Sequence, residues 1–393
     1  MGENAMNERP LAGYLVLDFS QFLAGPVAAL RLADLGARVI KIERPGAGDL
    51  GRSLAFAGLQ ADGDTLSFHA MNRGKESFVA DLKDDAGLAE VRRLVEQADV
   101  LIQNFRPGVM ERIGLDYERV REINPRLVYG SLSGYGTTGP WRDLPGQDLL
   151  AQSVSGLPWL SGSGADGPVP VGLALADSIA SCHLAHGITA LLLRRERTGV
   201  GGLVETSLME GMFDLQFELL TAHLHDPEVV VQRGAQYSAH AFLPAPYGIY
   251  PTKDGYLALA MNPVPRLGEL LELPELADLT DPATWWSQQR RITELLADHL
   301  RTKETTHWLD ILVPADVWCA PVHTLPEIVQ HKGFQALRMT QQITRSRDGA
   351  PPVTLQTTRT PLRIDGEVLT NPAGAPVLGA DTDRIRAEFL EDR

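Results

Sequence analysis

The stretch Tyr14–Glu43, YLVLDFSQFLAGPVAALRLADLGARVIKIE, carries a strand, a helix and a second strand in succession. Tyr14–Ser20 (YLVLDFS) is a short apolar run of strand type. From Gly25 to Leu35 the apolar residues fall at helical spacing, and Gly36 follows as a stop. Val39–Glu43 (VIKIE) is strand-like again. Outward from this unit the alternation continues. Phe78–Leu82 and Val100–Phe105 read as strands, separated by a charged helix from about Asp85 to Gln97, and Leu127–Leu132 reads as another. A long helix from Asp177 to about Arg197 ends in the turn TGVGG. A strand at Leu203–Leu208 and a helix from Met209 to about His223 follow. This β–α–β–α order predicts a parallel sheet with helices on both faces, and such sheets bind ligands at the carboxyl ends of their strands.

Residues 133–172, rich in Gly, Pro and Ser, read as loops around a pocket rather than regular elements. From about 226 to 325 the character changes. A short strand pair spans Tyr247–Met261 with Lys253-Asp254-Gly255 as its turn, and charged helical stretches run from about Asp281 to Leu312. The tail carries a strand signal at Pro361–Ile364 and a last helix at Thr382–Glu391. The expected organisation is a large domain over 1–225, a small domain over 226–325 and a C-terminal segment over 326–393. No internal repeat or low-complexity tract is apparent.

The 393 residues suffice for about two or three domains. A net charge of −14 argues against non-specific binding to nucleic acid or anionic membrane, which needs an excess of Lys and Arg. It leaves room for a local basic pocket. Cys182 and Cys319 form no CxxC pattern and read as two buried thiols in a reducing compartment. MGENAMNERPLA lacks the parts of a signal peptide, and no apolar run of about 18 residues occurs. The expected location is the cytoplasm.

Asp177 stands immediately before an apolar helical pattern in GLALADSIASCHLAHGITALLL. An aspartate there is a common N-cap. A carboxylate at a helix N-terminus is also held ionised by the dipole, which suits a nucleophile at neutral pH. His183 and His186 share a helix face but lack a third metal ligand, so packing is their expected role. The same holds for Trp159, Trp285 and Trp286. Gln147 and Asp148, in PGQDLLAQ, read as a loop or a helix start. The basic residues of NFRPGVMERIG (Asn104–Gly114), RGKES (Arg73–Ser77) and Glu43-Arg44 sit at strand ends, where phosphates bind, although a surface salt bridge is the simpler reading for each. No GxGxxG follows the first strand and no GxxxxGK[ST] occurs.

Together these segments resemble the class III CoA-transferases, the superfamily of formyl-CoA transferase, carnitine CoA-transferase and α-methylacyl-CoA racemase. The matching motifs are LAGP (Leu23–Pro26), GARVIKIERPGAGD (Gly36–Asp49), NRGKES (Asn72–Ser77), ADVLIQNFRPGVMERIG (Ala98–Gly114) and INPRLVYGSLSGYGTTGP (Ile123–Pro140). GQDLLAQSVSG (Gly146–Gly156), GLALADSIAS (Gly172–Ser181), RTGVGGLVETSLMEG (Arg197–Gly211) and the Pro-Val of CAPV (Cys319–Val322) complete them. They run in order over nearly the whole chain.

The resemblance implies an α/β fold: a Rossmann-like large domain to which the C-terminus returns, a smaller α+β domain, and an interlocked homodimer. It implies an enzyme that moves CoA between carboxylic acids through an aspartyl anhydride and an aspartyl-CoA thioester on Asp177, with Gln147 and Asp148 beside it. Its partners would be an acyl-CoA donor and a carboxylic acid acceptor. CoA would be substrate rather than a resident cofactor, and no metal is called for. By position, Leu23, Ala24, Arg44, Lys75, Asn104, Phe105, Arg112 and Met209 would lie along the CoA path. The related racemases carry a histidine where this chain has Gln147. Glutamine cannot act as a general base, so transfer is expected over the alternative, acyl-CoA racemisation. The glycine run of formyl-CoA transferase is replaced by AHAFLPAPYGIYPTKDG, so formate and oxalate specificity does not carry over, and residues such as His240 and Tyr247 are candidates for shaping the acid pocket.

Overall fold

The computed structural model describes residues 9–54, 56–228, 233–347 and 349–391. These divide into two compact units, one from residues within 1–151, 174–212 and 336–393, the other from 152–173 and 213–335.

The first unit is built on six parallel strands: Leu15–Asp18, Arg38–Glu43, Glu76–Val79, Val100–Gln103, Val128–Ser133 and Gly202–Ser207. Numbered along the chain, their order across the sheet is 3-2-1-4-5-6. That is the doubly wound order, whose strand direction of travel reverses between the first and fourth strands. Alternation within each strand sends side chains to two apolar faces. Leu15, Leu17 and Phe19 join Ile40, Phe78 and Leu101 in a core covered by helix Asp85–Gln97 through Val91, Leu94 and Val95. On the sheet's fifth strand, a Cβ at Gly130 would come within 2.9 Å of Ile188, so glycine lets helix Leu175–Thr198 lie close to the sheet. Each fully buried Leu or Ile contributes about 1.5–3 kcal/mol.

The C-terminal residues complete this unit. Ile385 of the last helix, Thr382–Phe389, enters the same core. Asp381 and Thr382 accept hydrogen bonds from Ser77 and Val79 of the edge strand at 2.9 and 3.0 Å. A hairpin of Thr340–Arg347 with Ala350–Thr358, which the sequence did not announce, brings Arg345 to Asp62 and Asp64 at 3.3 and 2.6 Å.

The second unit holds a three-stranded antiparallel sheet of Gly248–Pro251, Tyr256–Leu259 and Cys319–Pro321. Its hairpin turns through Lys253-Asp254-Gly255 as expected, with Thr252 N–H donating to the Gly255 carbonyl at 2.9 Å. Tyr250, Leu257, Ile292, Leu296 and Trp308 make its core.

Several local expectations are corrected. The helix foreseen from Met209 to His223 is two, Leu208–Leu215 and Phe217–His225, broken at Gln216. The 133–172 region contains two short helices, Asp148–Val154 and Leu157–Leu160. The strand at Pro361–Ile364 shrinks to Arg363–Ile364. Cys182 is exposed and Cys319 only half-buried, because Cys182 lies beside the buried stripe of Ser181, Leu184 and Ala185 rather than on it. Trp159 and Trp286 are exposed, and only Trp285 packs against a core.

Candidate active site

Asp177 is not an N-cap. Helix Leu175–Thr198 begins two residues earlier, after Ala174, whose side chain offers no capping hydrogen bond. Asp177 therefore sits in the first turn, where its own N–H has no partner within the helix. Asp148 supplies one from elsewhere in the chain: its Oδ1 accepts the Asp177 N–H at 3.0 Å. Asp148 opens helix Asp148–Val154, and the preceding Gln147 accepts the Ala151 N–H at 2.9 Å through its carbonyl while its side chain is exposed.

Glycines hold this corner together. A Cβ on Gly134 or on Gly146 would come within 2.5 Å of the other's Cα, so only two glycines permit that backbone crossing. Gly134 follows the fifth strand, and its carbonyl accepts the N–H of buried Met209 at 3.1 Å. Gly211 lets helix Leu208–Leu215 approach the start of the Asp177 helix, where a Cβ would lie 3.2 Å from Ile179. Asp177, Asp148, Gln147 and Met209 are thus brought to the carboxyl ends of the fifth and sixth strands.

The electrostatics differ from the expected dipole-held carboxylate. Asp177 is half-buried, and burial, followed by repulsion from Asp148, pushes its carboxyl up to about 7. Desolvation and a like charge outweigh the helix terminus.

A second group of residues gathers at the ends of the first and fourth strands, where the sheet order reverses. Leu23 and Ala24 open helix Ala24–Asp34, Leu23 half-buried and Ala24 buried. The Asn104 side chain clamps Gln21, accepting its N–H at 2.9 Å and donating to its carbonyl at 2.8 Å. Phe105, half-buried, lines a cavity of about 390 Å³ with Gln103, Arg106, Tyr117, Tyr129 and Ser131. Arg44 and Arg112 are exposed; Arg44 donates to the Gly48 carbonyl at 3.0 Å.

The basic residues of RGKES were read as surface salt bridges, and the structure corrects this. Arg73 is buried against Asp34, and the Lys75 side chain is fully buried. Lys75 belongs to a chain of interior ion pairs. It meets Asp18 at 2.7 Å. Lys41 lies between Asp18 and Asp49, at 3.7 and 2.8 Å. Arg52 bridges Glu43 and Asp64 at 2.7 and 2.8 Å. Burial alone would raise the Asp18 carboxyl, but Lys41 and Lys75 hold it at about 2. Burial in turn brings the Lys75 ammonium down to about 8 against the pull of Asp18. Asp18, Lys41 and Asp49 were not picked out from the sequence. The signal was an aspartate inside YLVLDFS and a lysine inside VIKIE: a charge within an apolar strand requires a buried partner.

A cavity of about 370 Å³ in the second unit is lined by Leu157, Leu160, Ser161, Ser238 and His240 among others. His240 Nδ1 accepts the Phe242 N–H at 3.1 Å, which leaves the ring proton of the neutral form on Nε2. Among the described residues no cluster of His, Cys, Asp or Glu could hold a metal ion, and no helix is long and apolar enough to cross a membrane.

The sequence profile of CoA-transferase family III matches residues 11–382. A succinate–glutarate CoA-transferase of Agrobacterium fabrum is 32% identical over 97% of this chain and 96% of its own. An acetyl-CoA:oxalate CoA-transferase of Acetobacter aceti is also 32% identical over the same shares. The alpha subunit of a succinyl-CoA–L-malate CoA-transferase of Chloroflexus aurantiacus is 36% identical over 78% of this chain and 71% of its own. Among solved structures, a CAIB/BAIF family protein of Brucella suis superposes with a TM-score of 0.83 at 30% identity, covering 98% of this chain and all of that one. Rv3272 of Mycobacterium tuberculosis gives a TM-score of 0.80 at 31% identity over 97% and 99%.

Proposed function

The chain belongs to CoA-transferase family III, and on that premise we propose that it exchanges CoA between two carboxylic acids with Asp177 as the covalent carrier. The observation that carries this reading is the Asp177 carboxyl itself. It lies in the first turn of a helix, is fixed through its backbone by Asp148, and is poised near neutrality. A carboxylate of raised basicity is a stronger nucleophile once ionised, and a pKa near the working pH keeps much of it ionised.

The steps conserve acyl activation throughout. An Asp177 Oδ attacks the carbonyl of the acyl-CoA thioester, the C–S bond breaks, and CoA leaves as thiolate from a mixed anhydride. The thiolate then attacks the Asp177 acyl carbon, releasing the donor acid as carboxylate and leaving an aspartyl-CoA thioester. The acceptor carboxylate attacks that thioester and expels the thiolate again. Attack of the thiolate on the acceptor's acyl carbon gives the new acyl-CoA and restores the Asp177 carboxylate. No proton is gained or lost over the cycle. The exposed Gln147 amide is a neutral donor for the oxyanions that arise.

Leu23, Ala24, Asn104, Phe105 and the exposed Arg44 and Arg112 are proposed to follow the CoA chain from thioester to phosphates, at the switch point where such sheets bind nucleotides. The names of the relatives above make short dicarboxylic acids the first acids to test. The interlocked homodimer belongs to the same reading. It is supported by helix Phe217–His225, in which no residue is fully buried and Phe217 and Leu224 are exposed seven positions apart; large apolar side chains exposed on one helix mark a surface that a partner would cover. The cytoplasm, where acyl-CoA is found, is the proposed location.

The test is intact-protein mass spectrometry after incubation with succinyl-CoA, glutaryl-CoA and oxalyl-CoA, followed by borohydride or hydroxylamine trapping and peptide mapping. A trapped adduct on Asp177 is the expected result. Turnover with no adduct at Asp177 would refute the covalent mechanism.

A further inference from the structure

The backbone between the first strand and helix Ala24–Asp34 is held from beneath with unusual completeness. Asp18 Oδ1 accepts the Ser20 N–H at 3.0 Å, and Lys41 donates to the Ser20 carbonyl at 2.7 Å. Asn104 takes both groups of Gln21. Asp49 Oδ1 accepts the Phe22 N–H at 3.1 Å, and Lys75 donates to the Pro26 carbonyl at 2.9 Å. Five backbone groups of this short loop and one in the first turn of the helix are therefore bonded by five side chains drawn from separate parts of the sequence. Phe22 is kept at a positive φ of 66°, which costs a non-glycine residue free energy unless the surroundings enforce it. Gly25 is pressed against Ser20, where a Cβ would lie 2.2 Å from the serine Cβ.

Lys75 has no donor to spare. Its three N–H bonds go to Asp18 Oδ2, the Pro26 carbonyl and Asn72 Oδ1 at 2.7, 2.9 and 2.9 Å, and its side chain has no exposed surface. An ammonium so placed cannot reach a ligand phosphate without giving up a buried ion pair, which costs several kcal/mol.

We propose that Lys75, with Asp18 and Lys41, is a positioning residue that fixes the Ser20–Pro26 backbone for the thioester end of acyl-CoA, and that its ammonium does not contact the CoA phosphates. This rests on the reading that Leu23 and Ala24 line the CoA path. It departs from the direct contact that position in the sequence suggests for Lys75. The buried ions act at one remove: they make the loop rigid, and a rigid loop loses little entropy when the pantetheine chain docks on it.

Two measurements decide it. In the first, the wild-type enzyme is acetylated with a water-soluble amine reagent and mapped, with and without CoA. Lys83, which is exposed, is expected to be modified, while Lys75 stays unmodified in both samples. Labelling of Lys75 in the free enzyme with protection by CoA would overturn the proposal. In the second, Lys75→Met and the charge-balanced pair Asp18→Asn/Lys75→Met are compared on an acyl-CoA and on the matching acyl-pantetheine, which has no phosphates. The expected result is a rise in KM of about tenfold or more, equal for both thioesters, with the KM of the acceptor acid unchanged. A loss confined to acyl-CoA would overturn the proposal by showing a phosphate contact, and so would unchanged KM values in folded variants. The labelling result stands even if neither variant folds. Failure of the wild type to turn over any acyl-CoA counts against the transferase reading instead, and leaves the labelling result to judge Lys75.

Discussion

Asp148 acts on Asp177 in two opposed ways: its Oδ1 accepts the Asp177 backbone N–H at 3.0 Å, while its charge repels the Asp177 side chain. One carboxylate thus both fixes the position of the nucleophile and raises its basicity. Asparagine at 148 separates the two effects, because its amide oxygen keeps the hydrogen bond and its charge is gone.

The first prediction concerns that pair. The log of kcat/KM for acyl-CoA should rise with pH and level off above about 7, as Asp177 ionises. In Asp148→Asn the midpoint should fall below the parent's, since the repelling charge is lost although burial persists. Initial rates from pH 5 to 9 check this, and an unmoved midpoint would remove Asp148 from the account.

Asp177→Asn and Asp177→Ala should each lower transfer by about a thousandfold or more. The same substitution should have a pH-dependent effect on stability. The folded chain keeps a proton on Asp177 up to about pH 7, the unfolded chain only to 3.8. Between those values the native state binds more protons, so the parent loses stability as pH rises through that window. Asp177→Asn should therefore match the parent near pH 4 and exceed it at pH 8 by on the order of 1–3 kcal/mol. Urea titrations at the two pH values measure it.

Gly146→Ala should reduce kcat far more than it raises the KM of acyl-CoA. Its methyl group would meet the Gly134 backbone at 2.5 Å, and backbone cannot swing aside as a side chain does. The strain, about 1–3 kcal/mol, falls on the segment that carries Gln147 and Asp148. Steady-state kinetics with a thermal melt separate the two effects.

Arg345→Met should destabilise the fold by about 1.5–3 kcal/mol, because it takes one of two cations from each of Asp62 and Asp64 and leaves Arg347 and Arg52 to hold them. Denaturant midpoints measure this. Arg301→Met, at an exposed ion pair with Asp298, serves as the control and should move stability by less than about 1 kcal/mol.

Much of the parallel sheet could be read in advance. Its strands are short apolar runs with glycine, charge or proline between them, and burial on two faces leaves little ambiguity. The helix expected from about Asp85 to Gln97 spans Asp85–Gln97, since its amphipathic pattern is its own record. Local patterns misled where the decisive partner is remote. Asp177 has the sequence look of an N-cap, but the acceptor for its N–H comes from Asp148, 29 residues earlier. Arg73 and Lys75 look like surface cations because nothing nearby shows that Asp34 and Asp18 wait for them in the interior. The hairpin Thr340–Thr358 was missed because the face its first strand buries carries Gln341 and Arg345 beside Ile343, and a buried face without apolar alternation is a weak signal.

The position of Arg345 has a consequence for how the chain is made. Asp62 finds its cations in Arg345, 283 residues later, and in Arg347. At 5–20 residues per second a ribosome takes roughly 15–60 s to cover that distance. For all of that time the nascent first unit carries an aspartate whose interior site has no counter-charge. The sheet can assemble strand by strand as it emerges, but its ionic interior closes only once Arg345 and Arg347 have been made, so a chain stopped before them is left with an open seam.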